Sequence, residues 1–411
     1  MKIAVLGGGI SGLAAAARLL EYGHDITLFE KDAHLGGLCK TEYFDDYVFD
    51  IHGGHVFNSK YPEIKNWVFS LISQNLWQHS DRISLIEYHG KMINYPFELS
   101  LNELPVDEAA ECLLNFIHCK RDPREKPQNF RDWLYWMFGK GITEKYMIPY
   151  NEKIWNRDLS TLCISWVDGK MPLPNDFDLI KSILDKNFKE QNMPHCTYYY
   201  PIRGGIQTLI NAIADKIPQK ITGRPVQKIE RGFGHWIVDG QSFDKIINTI
   251  PLPEFAKIYS EMDSSIKQLI GQLQFNSLTT ALFKYQKSHH SWIYYPTKEK
   301  GAHRMVFQGN FSKALPGSVA LEKIGRCTLQ EMIKGFDLSE KDCVHQSWTK
   351  YAYPVFDVKY DKNIEKIKKY FELIDVSLVG RFAEWKYYNM DTCIKRAFDC
   401  VESLNLHEST L

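Results

Sequence analysis

An α/β fold whose nucleotide-binding domain is split along the chain is predicted by three observations in this 411-residue sequence. The chain opens on a short apolar strand, a glycine turn, an Ala/Leu-rich helix and a second strand ending in an acid. Helical periodicity without strand signals fills much of the next part, and alternating strand patterns follow it. The C-terminus returns to a strand, a Gly-Arg pair and a helix, so the far end of the chain completes the first domain. Together these predict a discontinuous Rossmann-like domain, an inserted helical lobe and an antiparallel β-sheet substrate domain. The expected boundaries are 1–75, 195–250 and 365–411 for the first, 100–192 for the helical lobe, and 76–99 with 251–364 for the sheet domain.

The opening unit carries the most information. Lys2–Leu6 reads as a strand, Gly7-Gly8-Gly9-Ile10-Ser11-Gly12 as the turn, Leu13–Tyr22 as a helix and Asp25–Glu30 as the second strand. In this pattern Gly7 allows the sharp turn, Gly9 lets backbone approach a pyrophosphate, and Gly12 lets helix and strand pack closely. The helix N-terminus offers free N–H groups and a positive dipole end to phosphates, and Ser11 in the turn before it is a further cofactor candidate. Glu30 is placed to accept hydrogen bonds from a ribose. A lone GxGxxG is weak; strand, turn, helix, strand and acid in order make it specific.

Just past the acid comes Lys31-Asp32-Ala33-His34-Leu35-Gly36-Gly37-Leu38. This second glycine pair resembles the extended fingerprint of FAD-containing enzymes of the amine oxidase and glutathione reductase type. The resemblance implies a Rossmann-like FAD-binding domain, with Gly37 and Leu38 near the flavin side. NAD(P) as the resident cofactor is the lesser alternative.

Composition excludes several classes. Lys+Arg equals Asp+Glu at 50 each, so no global field favours nucleic acid or an acidic membrane. No apolar run approaches the length of a transmembrane helix, and no secretory leader is expected. Nine cysteines show no CxxC pair and no framework, which suggests reduced thiols and a cytoplasmic protein. Aromatic residues make up 13% of the chain; core packing explains most of them, and a pocket of flat side chains would use the rest.

Further along, residues 42–51 alternate as a strand or hairpin and deliver His52-Gly53-Gly54-His55 into a loop. His52 and His55 have no carboxylate or cysteine at ligand-like spacing, so no metal is expected. Residues 62–74 read as an amphipathic helix and 83–97 as a hairpin turning at His89-Gly90. Val106–Cys119 and Asn129–Phe138 carry helical spacing. Gln207–Lys216 forms another helix after Gly204-Gly205. Short strands follow at Arg224–Arg231, His235–Val238 and Lys245–Thr249, then Thr279–Tyr285, Trp292–Tyr295 and Arg304–Phe307. The chain closes with a strand at Val376–Val379, then Gly380-Arg381, then a helix from Thr392 to about Ser403. Ligands are expected where these lobes meet.

Four stretches resemble one family. They are Gly53-Gly54-His55-Val56-Phe57, Pro149-Tyr150-Asn151-Glu152-Lys153-Ile154-Trp155, Gly301-Ala302-His303-Arg304, and Gly380-Arg381 with Tyr387-Tyr388-Asn389-Met390-Asp391. With the N-terminal fingerprint, their order and spacing resemble UDP-galactopyranose mutase, a flavoenzyme that interconverts pyranose and furanose rings of a nucleotide sugar. The resemblance implies that Tyr150 and Trp155 line the nucleotide-sugar pocket, with an aromatic face for the uracil. It implies that His55 sits by the reactive flavin nitrogen and that Arg304 pairs with the diphosphate, these two being the catalytic candidates. Arg381 would contact the cofactor's phosphates, with Lys31, Val226, Gly380 and Met390 also on the cofactor. Tyr353 and Tyr387 would hydrogen-bond the substrate diphosphate.

By the same resemblance the reduced flavin is the active form and attacks the anomeric carbon through N5, with NAD(P)H a candidate reductant and a homodimer a candidate assembly. No Ser–His–Asp, Cys–His or paired-carboxylate site is found, which agrees with a flavin nucleophile. Two departures bear on substrate. The family's mobile-loop arginine has no match in Trp166–Met171, where Lys170 is the available cation and gives a point charge in place of a fork. The family's acid after the C-terminal tyrosine is Asn389 here. The rival reading is a flavin oxidoreductase of the amine or protoporphyrinogen oxidase kind; Arg304, Tyr353 and Tyr387 favour a diphosphate ligand over that enzyme's apolar funnel.

Overall fold

The computed structural model describes residues 1–121, 125–167, 170–171, 175–185 and 196–408. Asp168 and Gly169 of the expected cation-bearing loop, and 186–192 of the expected helical lobe, lie outside the described residues.

A five-stranded parallel sheet forms the first layer, in the order Val376–Leu378, Lys245–Asn248, Lys2–Leu6, Asp25–Phe29, Lys220–Ile221. Ile3, Ala4, Val5 and Leu6 are almost wholly buried, as a strand covered on both faces requires. The helix Ile10–Glu21 starts three residues before the predicted Leu13, because the chain is already helical immediately after Gly9. Its four consecutive alanines are buried, and it packs on the C-terminal helix Met390–Glu408, to which Arg18 reaches across to Glu402 at 3.0 Å. The chain's two ends therefore meet in one domain.

The second layer is a seven-stranded sheet ordered Cys343–Val355, Gln274–Lys284, Ser318–Ile324, Arg304–Val306, Trp292–Tyr294, Ser84–Tyr88, Lys91–Asn94. Every pair is antiparallel except Trp292–Tyr294 with Ser84–Tyr88. The predicted hairpin turn is present, with His89 at φ 48° and Gly90 at φ 76°. Trp77–Asp81 does not join this sheet but pairs with Thr197–Pro201. The first predicted strand of the 220s shrinks to Ile229–Arg231, which pairs with Trp236–Val238, and that strand pairs in turn with Gln241–Phe243 in a separate three-stranded sheet.

The 13-residue strand Cys343–Val355 and the helices Leu252–Ile258, Ser264–Gly271 and Tyr360–Leu373 go beyond the sequence expectations. The last of these is polar overall but buries Tyr360, Ile364, Ile367 and Phe371, a helical period hidden by its lysines.

The helical lobe contains Val106–Arg121, Phe130–Ile142, Ile148–Trp155 and Asp176–Leu184. A column of aromatics carries it toward the sheet: Phe97 stacks on Tyr146 at 5.0 Å, Tyr146 on Tyr150 at 5.4 Å, and Tyr150 meets Tyr294 edge-on at 5.4 Å. Among the described residues no helix is long and apolar enough to cross a membrane.

Candidate active site

The glycine turn and the acid build one end of the site. Gly7 has φ +104°, and its N–H donates to the Phe29 carbonyl at 2.8 Å, which closes the turn onto the second strand. A Cβ on Gly12 would lie 1.9 Å from the Gly7 carbonyl oxygen, so helix and turn touch there as the motif predicts. The second glycine pair folds back on the first: Gly36 N–H donates to Gly8 O at 2.8 Å, and a Cβ on Gly37 would stand 3.0 Å from Gly9 Cα. Glu30 accepts from Gly8 N–H at 2.7 Å and from Asp32 N–H at 2.9 Å, so its carboxylate is fixed before any ligand arrives. Lys31 and Lys40 both pair with Asp32, at 2.6 and 2.5 Å. Gly9 caps the helix without a side-chain hydrogen bond, which leaves the first-turn donors for a ligand. Gly380 packs behind, where a Cβ would meet Ser11 Oγ at 2.3 Å.

The 52–55 loop is held from two sides. Asp50, fully buried, accepts from Thr41 Oγ1 at 2.7 Å, from Tyr200 Oη at 3.1 Å and from the His55 N–H at 3.3 Å. From the large sheet, Thr280 Oγ1 donates to the Ile51 carbonyl at 2.6 Å, and Glu322 Oε1 accepts the Gly54 N–H at 3.3 Å. A Cβ on Gly54 would sit 2.7 Å from Val306 Cγ1, which is the close approach the paired glycines permit.

Around that loop the charges are cationic. Arg304 donates through Nε at 2.9 Å and Nη2 at 2.5 Å to Oε2 of Glu322, itself wholly buried. Burial opposes the charge on Arg304, yet Glu322 and the nearby hydroxyls of Tyr353, Tyr294 and Tyr150 carry its pKa well above the ordinary value. The Arg381 guanidinium lies 4.9 Å from the Tyr353 ring and 4.7 Å from the Tyr387 ring, and its Nε and Nη2 are buried without a hydrogen-bond partner. Lys170 donates to Asn389 Oδ1 at 2.8 Å and lies 4.5 Å over the Tyr387 ring; burial lowers its pKa to about 8.

The histidines respond to this setting. Burial, then the charge of Arg381, lowers His55 to about 3, and burial, then Lys40, lowers His52 to about 4. Burial and then Arg304 push His303 well below its usual value. All three are therefore neutral at physiological pH, and their Nδ1 atoms are buried without a partner.

These parts enclose a cavity of about 1080 Å³ between the two sheets. Of the predicted residues, Gly7, Gly9, Ser11, Glu30, Lys31, Gly37, Leu38, His55, Val226, Arg304, Arg381, Asn389 and Met390 line it. Tyr353 instead lines an adjoining hollow of about 40 Å³ between Arg304 and Arg381, shared with His55 and Leu38. Gly12 and Gly380 act behind the wall. Tyr387 reaches the site through Arg381 and Tyr150 through Tyr294; Lys170 does not line the cavity but stands behind it, on Asn389 and the Tyr387 ring.

Trp155 does not line the cavity. It is 2% exposed and packs on Trp166 at 4.7 Å. Five residues of helix rotate it about 140° from Tyr150, so the two cannot share a face. Lys153, on the same helix, donates to the carbonyls of Tyr295, Thr297 and Lys300 at 2.9, 2.7 and 2.8 Å and ties the lobe to the segment preceding Arg304.

Sequence reasoning passed over Arg82, Tyr294, Asp50 and Glu322. Arg82 donates to Tyr294 Oη at 2.7 Å and lies against the rings of Tyr95 and Trp292; Arg82 and Tyr294 both line the cavity. Only the strand register, which sets Arg304 opposite Glu322, reveals that pair.

The residues fit a dinucleotide. The uncapped helix end and close glycines suit a pyrophosphate, Glu30 a ribose, and the unpartnered Arg381 and His55 nitrogens a polar ring system or phosphate. Residues 5–71 match the model of an NAD(P)-binding Rossmann-like domain, and residues 176–320 that of flavin containing amine oxidoreductases. Over 414 aligned residues the chain is 20% identical to UDP-galactopyranose mutase of Mycoplasma pneumoniae, covering 97% of this chain and 95% of that protein. A crystal structure of reduced UDP-galactopyranose mutase superposes with a TM-score of 0.88 at 22% identity, covering 98% of this chain and 94% of the other. Cyclohexylamine oxidase from Brevibacterium oxydans gives a TM-score of 0.70 at 14% identity, covering 98% and 99%. The chain thus has the fold common to flavin amine oxidases and UDP-galactopyranose mutase, and it resembles the mutase in sequence over nearly its whole length.

Proposed function

We propose that this protein is an FAD-dependent isomerase that interconverts the pyranose and furanose forms of a UDP-sugar of the UDP-galactose type. The observation that carries the reading is Arg381: a buried guanidinium with two unpartnered nitrogens, flanked by Tyr353 and Tyr387, across a small hollow from Arg304. A cationic amine has no use for that arrangement, whereas a phosphate or diphosphate does.

The glycine turns, Glu30 and Val226 would hold the dinucleotide, and Leu38 and His55 would border its ring end. When bound and reduced, the flavin supplies a nucleophile for the anomeric carbon. The contacts of Arg381 with Tyr353 and Tyr387 support taking this residue, which the sequence resemblance assigns to the cofactor's phosphates, as a substrate-side cation; with Arg304 and Lys170 it stabilises the negative charge that develops on the departing diphosphate and holds it nearby for return. Tyr353 and Tyr387 restrict where those cations sit. His55, kept neutral, contributes a polar contact without adding to the positive charge.

The test is turnover of the purified flavoprotein with UDP-galactose and related nucleotide sugars, oxidised and dithionite-reduced. Ring isomerisation in the reduced state alone, with no net consumption of reductant, is expected. Flavin reduction by an amine or porphyrinogen without isomerisation would replace this reading with the oxidoreductase one.

A further inference from the structure

We infer that Glu322 is a built-in counter-charge that fixes the Arg304 guanidinium against the 53–55 loop and limits how tightly the cavity holds an anionic ligand. The inference rests on the reading of the cavity as an anion site.

Three observations support it. Glu322 sits in the middle of the large sheet, paired with Thr280 on one side and Arg304 on the other, and is completely buried. Its two oxygens have different partners: Oε2 takes both Nε and Nη2 of Arg304, and Oε1 takes the Gly54 N–H. One carboxylate thus ties the substrate-side arginine to the loop that borders the dinucleotide, and the two move as a unit. A Cβ on Gly53 would stand 3.2 Å from Oε1, so the loop is seated closely against it.

The arrangement also divides the labour between two arginines. Arg304 has a full negative charge beside it, whereas Nε and Nη2 of Arg381 have no partner. Two bare guanidiniums facing one diphosphate would bind it more tightly than turnover allows, since a diphosphate that must leave and return cannot be held fast. Neutralising one of them leaves a positioned donor with a weaker long-range pull.

The variant Glu322→Gln keeps an acceptor for the Gly54 N–H and removes the charge. Binding of UDP, and separately of inorganic pyrophosphate, is measured by calorimetry on the flavin-loaded protein, with thermal melts to confirm folding. Tighter binding by about fivefold or more is expected for Glu322→Gln, and no such gain when the same change is made in Arg304→Met protein. Unchanged or weaker binding by a folded Glu322→Gln protein overturns the inference, as does an equal gain in the Arg304→Met background. Failure of both probes to bind either the native protein or the variant overturns it too. These binding readouts do not depend on isomerisation, so a native protein that binds pyrophosphate without isomerising a nucleotide sugar would discard the proposed reaction and leave the counter-charge standing.

Discussion

The backbone N–H of His55 donates to the buried carboxylate of Asp50 at 3.3 Å, which joins the cavity loop to the hairpin before it. Burial raises the Asp50 carboxyl from 3.8 to about 7, against the opposing pull of Thr41, His55 and Tyr200. Between these values the native state holds a proton that the unfolded chain has lost. The corresponding stability is complete at low pH and disappears as pH rises through about 7. Asp50→Asn, which mimics the neutral form, should gain melting temperature relative to the native protein as pH rises from about 4 to about 7, and hold that gain above it. Flavin-fluorescence melts across that range check it, and a constant difference would refute the linkage.

Gly9 and Gly12 should fail differently. A side chain on Gly12 collides with the Gly7 carbonyl, whereas a Cβ on Gly9 meets Gly37 Cα at an ordinary 3.7 Å. Gly9→Val should therefore fold but purify without yellow absorbance, and Gly12→Ala should lose the fold itself. A yellow Gly9→Val protein would remove the pyrophosphate argument.

Removing Arg304 leaves Glu322 as an unpaired buried anion. Arg304→Met should cost about 3–5 kcal/mol of stability, the usual range for breaking a buried pair. Much of that loss should return in Arg304→Met/Glu322→Gln, where both charges are gone. Denaturant titration of the four proteins measures the coupling, and strictly additive losses would contradict it.

Lys170 gives a pH signature to ligand binding. Burial, then the repulsion of Arg381, lowers its pKa to about 8, so its charge is present below that pH and lost above it. UDP affinity should fall as pH rises through about 8, and Lys170→Arg should abolish that step because arginine stays charged. Calorimetry at a series of pH values decides it; an identical step in Lys170→Arg protein would assign the effect elsewhere.

The nucleotide end of the site was legible in the linear chain because its logic is local. Gly7, Gly9, Gly12 and Glu30 are one strand–turn–helix–strand unit, and the requirements of that turn are written into thirty consecutive residues. The return of Gly380-Arg381 to the first domain was legible for the same reason, since strand, glycine and helix again follow in order. The period of Ile148–Trp155 was also in the sequence, and it alone rules out Tyr150 and Trp155 sharing a wall.

What only the tertiary structure decided is how charges are partnered across the sheet. Arg304 and Glu322 are 18 residues apart, and nothing short of the strand register places them in contact. Asp50 and Tyr200 are separated by 150 residues, and Arg82 and Tyr294 by 212. A sequence names the charged residues that a site can draw on. Long-range packing settles which of them are neutralised and which, like Arg381, remain buried with donors to spare, because the cost of an unpaired buried charge is set by its neighbours in space.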